Sequence, residues 1–230
     1  MGRATQLETR GAAGTTRRTK RRRGLWAALA MLWLAAPALA LPGGQRLTIA
    51  GGGSFPVQPS VMSDVWNTGF IVSGSLLWKA APVLALGVEV SYLRHPLDTA
   101  AFEASIRDQY PNVSTDGHDF WVVPASAIIE LDLMQWGVVK PYIRAGFGVY
   151  KLGTTDFAAS GPGADALEEQ VADAELTQRL DDTVFGTLIG LGLRTPITPA
   201  IGLTLDATYH VVNTAGESTH FVPVRLGLQF

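Results

Sequence analysis

Between residues 46 and 230, apolar side chains recur at every second position in eight stretches of strand length. A period of two belongs to β-strands, whose successive side chains point to opposite faces. The segments are 46–55, 68–79, 83–95, 118–131, 138–152, 183–194, 200–211 and 218–230. The last is the clearest. Val222, Val224, Leu226, Leu228 and Phe230 share one face, and Phe221, Pro223, Arg225, Gly227 and Gln229 share the other. Segment 200–211 repeats the scheme, with Ile201, Leu203, Leu205, Ala207 and Tyr209 opposed to Gly202, Thr204, Asp206, Thr208 and His210. Segment 138–152 sets Val139, Ile143, Ala145, Phe147 and Val149 against Lys140, Tyr142, Arg144, Gly146 and Gly148.

The connections sort by parity. They run long (56–67), short (80–82), long (96–117), short (132–137), long (153–182), short (195–199) and moderate (212–217). An antiparallel barrel in an outer membrane has short periplasmic turns and longer external loops. A soluble meander has no reason to sort its loops this way.

Alternation does not say which face looks inward; aromatic placement does. Phe70, Tyr92, Trp121, Phe185 and Tyr209 lie on the apolar face toward the long-loop ends, and Trp78 and Phe230 lie toward the opposite ends. Two such belts match a lipid-facing surface, because amphipathic rings are satisfied at headgroup depth. The polar face then lines the interior. It offers Glu89, Glu130 and Asp206, with Lys79, Lys140, Arg144, Arg194 and Arg225 as counter-charges. Eight strands enclose a space just wide enough for side chains to fill, and an unpaired charge enclosed there costs several kcal/mol. The expectation is an ion-pair network of Glu89, Glu130, Lys140, Arg144, Arg194, Asp206 and Arg225, with Gly146, Gly148, Gly186, Gly190, Gly192, Gly202 and Gly227 making room for long side chains. Pro124, Pro141 and Pro223 fall within segments and are expected at bulges or strand ends, since a closed barrel has no free edge for a missing donor. Val122 and Ile128 point inward in this register.

Composition sharpens this reading. The chain has 230 residues, no cysteine, 47% hydrophobic residues and a formal charge of −2. That excludes full disorder, a disulfide framework, cysteine-ligated zinc and thiol catalysis, and argues against a basic nucleic-acid binder. The charge is uneven. Residues 1–40 hold eight Arg and Lys against Glu8 alone, followed by an apolar run from Gly24 that ends Ala38-Leu39-Ala40. A basic region, a short apolar stretch and small residues before the cut form a secretory signal peptide, so cleavage is expected after Ala40. The run is shorter than a spanning helix needs, and Pro37 interrupts it. Removing 8 of 18 basic and 1 of 20 acidic residues leaves 10 and 19, a net of −9 for 41–230.

With these residues in view, the chain resembles the small eight-stranded outer-membrane β-barrel proteins of Gram-negative bacteria. Val224-Arg-Leu-Gly-Leu-Gln-Phe230 is similar to the terminal signal read by the barrel-assembly machinery of that class, carried by Val224, Leu226, Leu228 and Phe230. Lys140-Pro-Tyr-Ile-Arg-Ala-Gly-Phe-Gly-Val-Tyr150 is similar to the central strand of the broad outer-membrane β-barrel domain family. The likeness covers about residues 45–230 and implies architecture and location rather than activity. Members include structural anchors, narrow channels, adhesins and a few lipid-modifying enzymes.

Other chemistry is sparse. Loop 153–182 carries Asp156, Asp165, Glu168, Glu169, Asp173, Glu175, Asp181 and Asp182 against Arg179, with a helical pattern placing Leu167, Val171 and Ala174 on one side. Its carboxylates lack the spacing of a calcium loop and read as a solvated acidic face. Ser218 and His220 share the outward face at the outer end of the last segment, where a lipid A deacylase would place nucleophile and base, but no carboxylate of matching parity orients them. No phosphate-binding loop or nucleophile elbow is present, and the histidines lack metal spacing. The sequence therefore predicts a cleaved signal peptide, 1–40, and an all-β, up-and-down transmembrane barrel, 41–230. It predicts an outer-membrane location, lipid and lipopolysaccharide around it, no cofactor and no nucleic acid. The leading role is non-enzymatic envelope structure or surface interaction through loops 96–117 and 153–182. Narrow passage of a small or hydrophobic solute and lipid A hydrolysis are the alternatives.

Overall fold

The computed structural model describes residues 44–58, 64–134, 136–178, 183–214 and 218–230, and of 172–178 the backbone alone; the expected signal peptide lies outside these residues. Among the described residues the elements run in order: β1 (Gln45–Gln58), β2 (Gly69–Ala81), β3 (Leu84–His95), α1 (Thr99–Ile106), β4 (Ser114–Gly117), β5 (Phe120–Asp132), β6 (Lys140–Thr154), β7 (Phe157–Ser160), α2 (Ala164–Gln178), β8 (Thr183–Pro196), β9 (Gly202–Asn213) and β10 (Ser218–Gln229). Eight of them close into an antiparallel barrel in the order β1-β10-β9-β8-β6-β5-β3-β2, while β4 and β7 form a separate two-stranded sheet. Each barrel strand therefore pairs with its barrel neighbours along the chain, and β10 closes on β1, with Phe230 N donating to Leu47 O at 2.8 Å and Leu47 N to Phe230 O at 3.1 Å. Closure leaves no unpaired edge, the condition a sheet must meet in hydrocarbon.

The exposed side is the apolar side. Along β3, Leu86, Val88 and Val90 face out while Glu89 between them is 4% exposed. Phe147, Ile189, Leu191 and Leu226 are outward and exposed in the same way. Val122 and Ile128 are buried, on the inward face where the alternation puts them. An inverted surface of this kind is what a barrel in lipid presents.

The prolines behave differently from expectation. The register shifts at Pro56/Gln58 and Lys79/Ala81, but Pro124 and Pro223 sit mid-strand with register kept. Pro124 pairs with Tyr150 on one side while the ladder lapses between Ala125 and Val122 on the other. Pro223 pairs with Ser54, and its ladder to β9 lapses between Phe221 and Val224. A strand residue directs its N–H to one neighbour, so a proline removes one rung without displacing the chain. Pro141 is the second residue of β6, a strand end as expected.

The long loops hold structure that alternation does not reveal. Asp98 caps α1 by accepting from Ala101 N at 3.0 Å, as N-cap aspartates do. Glu103 of α1 accepts from Thr115 N of β4 at 2.7 Å, and Glu168 of α2 accepts from Ala159 N of β7 at 2.8 Å. Phe102 meets Phe157 edge-on at 5.9 Å, and Leu167 is buried. The two loops thus form one cap. The chain turns from it into the barrel at Gly117 and His118, both with positive φ, so β5 starts at Phe120, two residues later than the alternation suggests.

Candidate functional site

Inward side chains of the barrel form two layers. From the short-turn end to the middle runs a chain of alternating charges. Arg46 lies 3.6 Å from Asp132 and 3.2 Å from Glu130. Arg194 pairs with Asp132 at 3.0 Å and closely with Glu130. Arg144 bridges Glu130 at 3.1 Å and Glu89 at 2.6 Å. Arg225 bridges Glu89 at 2.7 Å and Asp206 at 2.8 Å. Four arginines meet four carboxylates, so the chain is formally neutral along its length. Arg225 also donates to Ser73 Oγ at 3.3 Å, and Tyr142 donates to Asp206 at 3.2 Å. The Tyr142 ring lies under the Arg194 guanidinium, 4.8 Å away, a cation–π contact that adds to the pairing.

The neighbouring strands make this crowding feasible. A Cβ at Gly192 would stand 2.4 Å from the Tyr142 ring, and one at Gly186 would stand 2.7 Å from the Tyr150 ring. Both glycines seat a tyrosine that is buried in the lumen. A Cβ at Gly202, a residue expected to do likewise, would meet nothing closer than 3.4 Å. Gly192→Ala should push the Tyr142 ring off Asp206 and lower unfolding free energy by about 1–3 kcal/mol, the usual range for overpacking; a urea midpoint equal to wild type, read in vesicles, would contradict it.

Toward the long-loop end the lumen turns apolar. Ile71, Leu93, Phe120, Val122, Tyr150, Leu152, Val212 and Phe221 pack together with Trp66 and Val184 against them. Two histidines are built into this layer. His210 is held between Tyr150 Oη and Thr208 Oγ1, each at 3.0 Å, and stacks on Phe221 at 4.8 Å. His95 lies 3.2 Å from Ser54 Oγ and donates to Asn67 O at 3.3 Å. Above it, Trp66 donates to His118 O at 3.1 Å and packs on Phe120 at 5.8 Å, joining the plug to the cap.

Of the residues expected in the network, Glu89, Glu130, Arg144, Arg194, Asp206 and Arg225 converge here. Lys140 does not. It is exposed at the rim, beside Lys79, lining an opening of about 440 Å³ with Gly44, Thr198 and Gln229, and makes no ion pair among the described residues. It is the first residue of β6, opposite Arg194 in register, and it is Arg194 that pairs with the carboxylates of Glu130 and Asp132. Arg46, Asp132 and Tyr142 belong to the network and are additions to the expected set. Asp132 has the parity of Glu130 but falls just past the expected strand end, and Arg46 opens the glycine-rich first strand, where alternation is weak.

The aromatic residues of the outer face stand toward the two ends of their strands. Phe70 and Phe185 are exposed near the long-loop end, with Tyr92, Trp121 and Tyr209 half-buried there, and Trp78 is exposed near the short-turn end, beside Phe230 at the strand terminus. Phe70 packs on Tyr92 at 5.9 Å, and the Trp121 ring lies over Gly153. Val224, Leu226 and Leu228 face outward and are exposed. Ser218 and His220 also face outward, and the His220 ring is engaged by Tyr209 Oη at 2.5 Å. Among the described residues no group of three His, Cys, Asp or Glu side chains is placed to hold a metal ion.

An exposed apolar band, an interior filled by ion pairs in one half and by apolar side chains in the other, and closed eight-strand topology define a transmembrane β-barrel. The chain belongs to the outer membrane protein beta-barrel domain family, whose sequence profile matches residues 26–230, and the outer membrane is its location. The match begins inside the expected signal peptide. Among solved structures, the outer membrane protein OprG from Pseudomonas aeruginosa is similar at 9% identity and TM-score 0.50, covering 84% of this chain and 98% of that one. Neisserial surface protein A shares 15% identity at TM-score 0.49, covering 81% and 96%. The attachment invasion locus protein of Yersinia pestis shares 13% at TM-score 0.39, covering 81% and 99%. No curated protein matches the sequence.

Proposed function

We propose that this outer-membrane barrel is a non-enzymatic envelope protein: a sealed anchor that presents the cap of loops 96–119 and 155–182 to the cell exterior. The observation that supports it is the filled lumen. A neutral chain of eight charges occupies the half toward the short turns, and an apolar plug with two hydrogen-bonded histidines occupies the other half. A solute would have to displace both. In this reading the short turns face the periplasm, residues 1–40 are the cleaved leader, and the folded protein in outer-membrane fractions starts at Leu41 by mass.

Conductance tests the reading. The purified barrel in a planar bilayer should give no stable openings, and Arg144→Ala should give none that the parent lacks beyond transient noise. Stable openings in the parent that vanish in Arg144→Ala would make the network a gate and move the protein to the channel class. For the esterase alternative the Tyr209 contact speaks against a free base at His220, and an unchanged lipid A acyl count on expression is the expected outcome.

A further inference from the structure

Toward the short turns the lumen ends in an opening of about 440 Å³, which the ion-pair network borders but does not fill. Donor side chains line it from five strands: Arg46 on β1, Lys79 on β2, Lys140 on β6, Arg194 on β8 and Gln229 on β10. Among the described lining residues, Asp132 is the one acidic side chain. Parity explains why the lysines collect here rather than in lipid. Lys79 follows the inward Ile71, Ser73, Ser75 and Leu77 on β2, and Lys140 precedes the inward Tyr142 and Arg144 on β6.

Charge decides what such an opening would hold. Arg46 and Arg194 are answered by Glu130 and Asp132, and the chain of eight charges is neutral without Lys79 and Lys140. Neither lysine has an ion-pair partner among the described residues. The mouth therefore carries two positive charges in excess, and one even with a terminal carboxylate at Phe230 counted. A cleft lined by one sign of charge concentrates the opposite ion. Unused donors accompany the charge. The Arg194 side chain is only 9% exposed, yet its buried Nε has no hydrogen-bond partner among the described residues, and the same holds for Arg46 Nε. The Gln229 amide, buried at the same level, is also unpaired among them. Buried donors left unpaired cost free energy, which favours a ligand that brings acceptors.

One side wall is apolar. Pro196, Pro199, Ala200 and Ile201 of the β8–β9 turn line it, and Thr198 Oγ1 fixes the turn by accepting from Ala200 N at 3.2 Å and Ile201 N at 3.0 Å. The volume lies within the range of small-ligand sites, about 300–1,000 Å³. It exceeds the needs of a bare oxyanion and leaves room for a small organic body beside that wall.

We propose that this mouth binds the phosphate of a small soluble phosphomonoester. Lys79 and Lys140 neutralise the dianion, Gln229, Arg46 and Arg194 offer donors to its oxygens, and the β8–β9 turn covers the organic part. Two excess cations match a phosphate dianion better than a carboxylate, and ammonium and guanidinium groups are ordinary partners of phosphate. The site lies outside the filled lumen, so bilayer conductance, silent or not, leaves it untouched. Supply from the periplasm rests on the short turns facing that side; binding to the purified barrel does not.

Calorimetric titration of the folded, detergent-purified protein with glycerol 3-phosphate is the test, with each variant's folding checked by heat-modifiable migration. Binding should saturate at one ligand per barrel. Lys79→Gln/Lys140→Gln should weaken it about tenfold, because two charge-assisted contacts are lost at a partly solvated site. Gln229→Ala should weaken it about threefold. Arg107→Gln, which removes an exposed positive charge from the cap, should match the parent, and acetate should bind far more weakly than the phosphomonoester. If the double variant fails to fold, Lys140→Gln alone should still weaken binding severalfold. Absence of saturable binding by the parent overturns the proposal, as does equal affinity of parent and double variant. An equal loss in Arg107→Gln would reduce the effect to net charge and overturns it too. So do acetate binding as tightly, which would leave only a general anion mouth, and phosphatidylglycerol displacing glycerol 3-phosphate at equal concentration, which would assign the lysines to a leaflet headgroup.

Discussion

Glu89→Ala should lower the unfolding free energy of the barrel by about 3–5 kcal/mol, the range for removing one partner of a buried ion pair. Glu89 is almost fully enclosed, and its two oxygens serve different arginines, Arg144 at 2.6 Å and Arg225 at 2.7 Å. Its loss breaks the charge chain at its middle. Arg144 keeps Glu130 and Arg225 keeps Asp206, but four guanidiniums then share three carboxylates where water cannot replace the fourth. The penalty comes from the stranded charge more than from the lost bonds. Glu89→Gln, which keeps an acceptor oxygen and loses the charge, should therefore be nearly as damaging. Glu89→Ala combined with Arg225→Ala should cost less than the sum of the two, because neutrality returns. Urea unfolding in vesicles, read by tryptophan fluorescence, measures all three. The losses should change little between low and high salt, since enclosed pairs are poorly screened. A loss below about 1 kcal/mol, the value for solvated pairs, would mean that water reaches Glu89 and that the lumen is not sealed.

Neutrality also explains which parts of this network can be read from the chain. Parity puts Glu89, Glu130, Arg144, Arg194, Asp206 and Arg225 on the inner face, because each lies in a strand whose other face is unmistakably apolar. It does not reach Arg46 or Asp132. Arg46 precedes Gly51-Gly52-Gly53, and glycines carry no hydrophobic signal from which to set a register. Asp132 is one residue beyond the expected strand end, and strand ends are fixed by turn hydrogen bonds rather than by alternation; here Asp132 N is held by Val83 O at 2.8 Å, across the neighbouring turn. Charge balance is a usable signal. Glu89, Glu130 and Asp206 balance Arg144, Arg194 and Arg225 on the inner face, so a further inward arginine such as Arg46 requires a further carboxylate, and Asp132 supplies it.

The barrel was legible because lipid on one side and a narrow lumen on the other impose the same two-residue period on every strand. The cap was not, because neither constraint applies above the membrane. The α1 helix spans two turns, its apolar residues Ala100, Ala101, Phe102, Ala104 and Ile106 are spread around the axis with only Phe102 and Ile106 as a large pair on one face, and its start depends on one side chain, Asp98. The β4–β7 sheet has four residues per strand and joins segments forty residues apart, a pairing that short-range pattern cannot disclose. The solvated acidic reading of loop 153–182 holds for Glu168 and Glu169 in exposure, with Glu168 also given a structural task at Ala159 N. Asp173, Glu175, Arg179, Asp181 and Asp182 lie outside the described side chains.

Deleting Phe230 should separate two roles that the last residue combines. Its backbone makes the final pair of hydrogen bonds that close β10 on β1, worth about 0.5–1.5 kcal/mol each, and its ring stands at the short-turn membrane interface, where aromatics anchor a barrel. In vesicles the shortened chain should refold, with unfolding free energy lower by about 1–4 kcal/mol from these terms together. In cells the deficit should be far larger, with most of the protein missing from the heat-modifiable outer-membrane fraction, because Val224, Leu226, Leu228 and Phe230 are proposed to form the assembly signal. Phe230→Leu discriminates between the roles. It restores the backbone pair and an apolar side chain, so refolding in vesicles should return close to the parent, while assembly in cells should remain impaired if the machinery reads the aromatic ring. Equal losses in vesicles and in cells for both variants would show that the residue acts through barrel closure alone, and the recognition role of the terminal strand would be withdrawn.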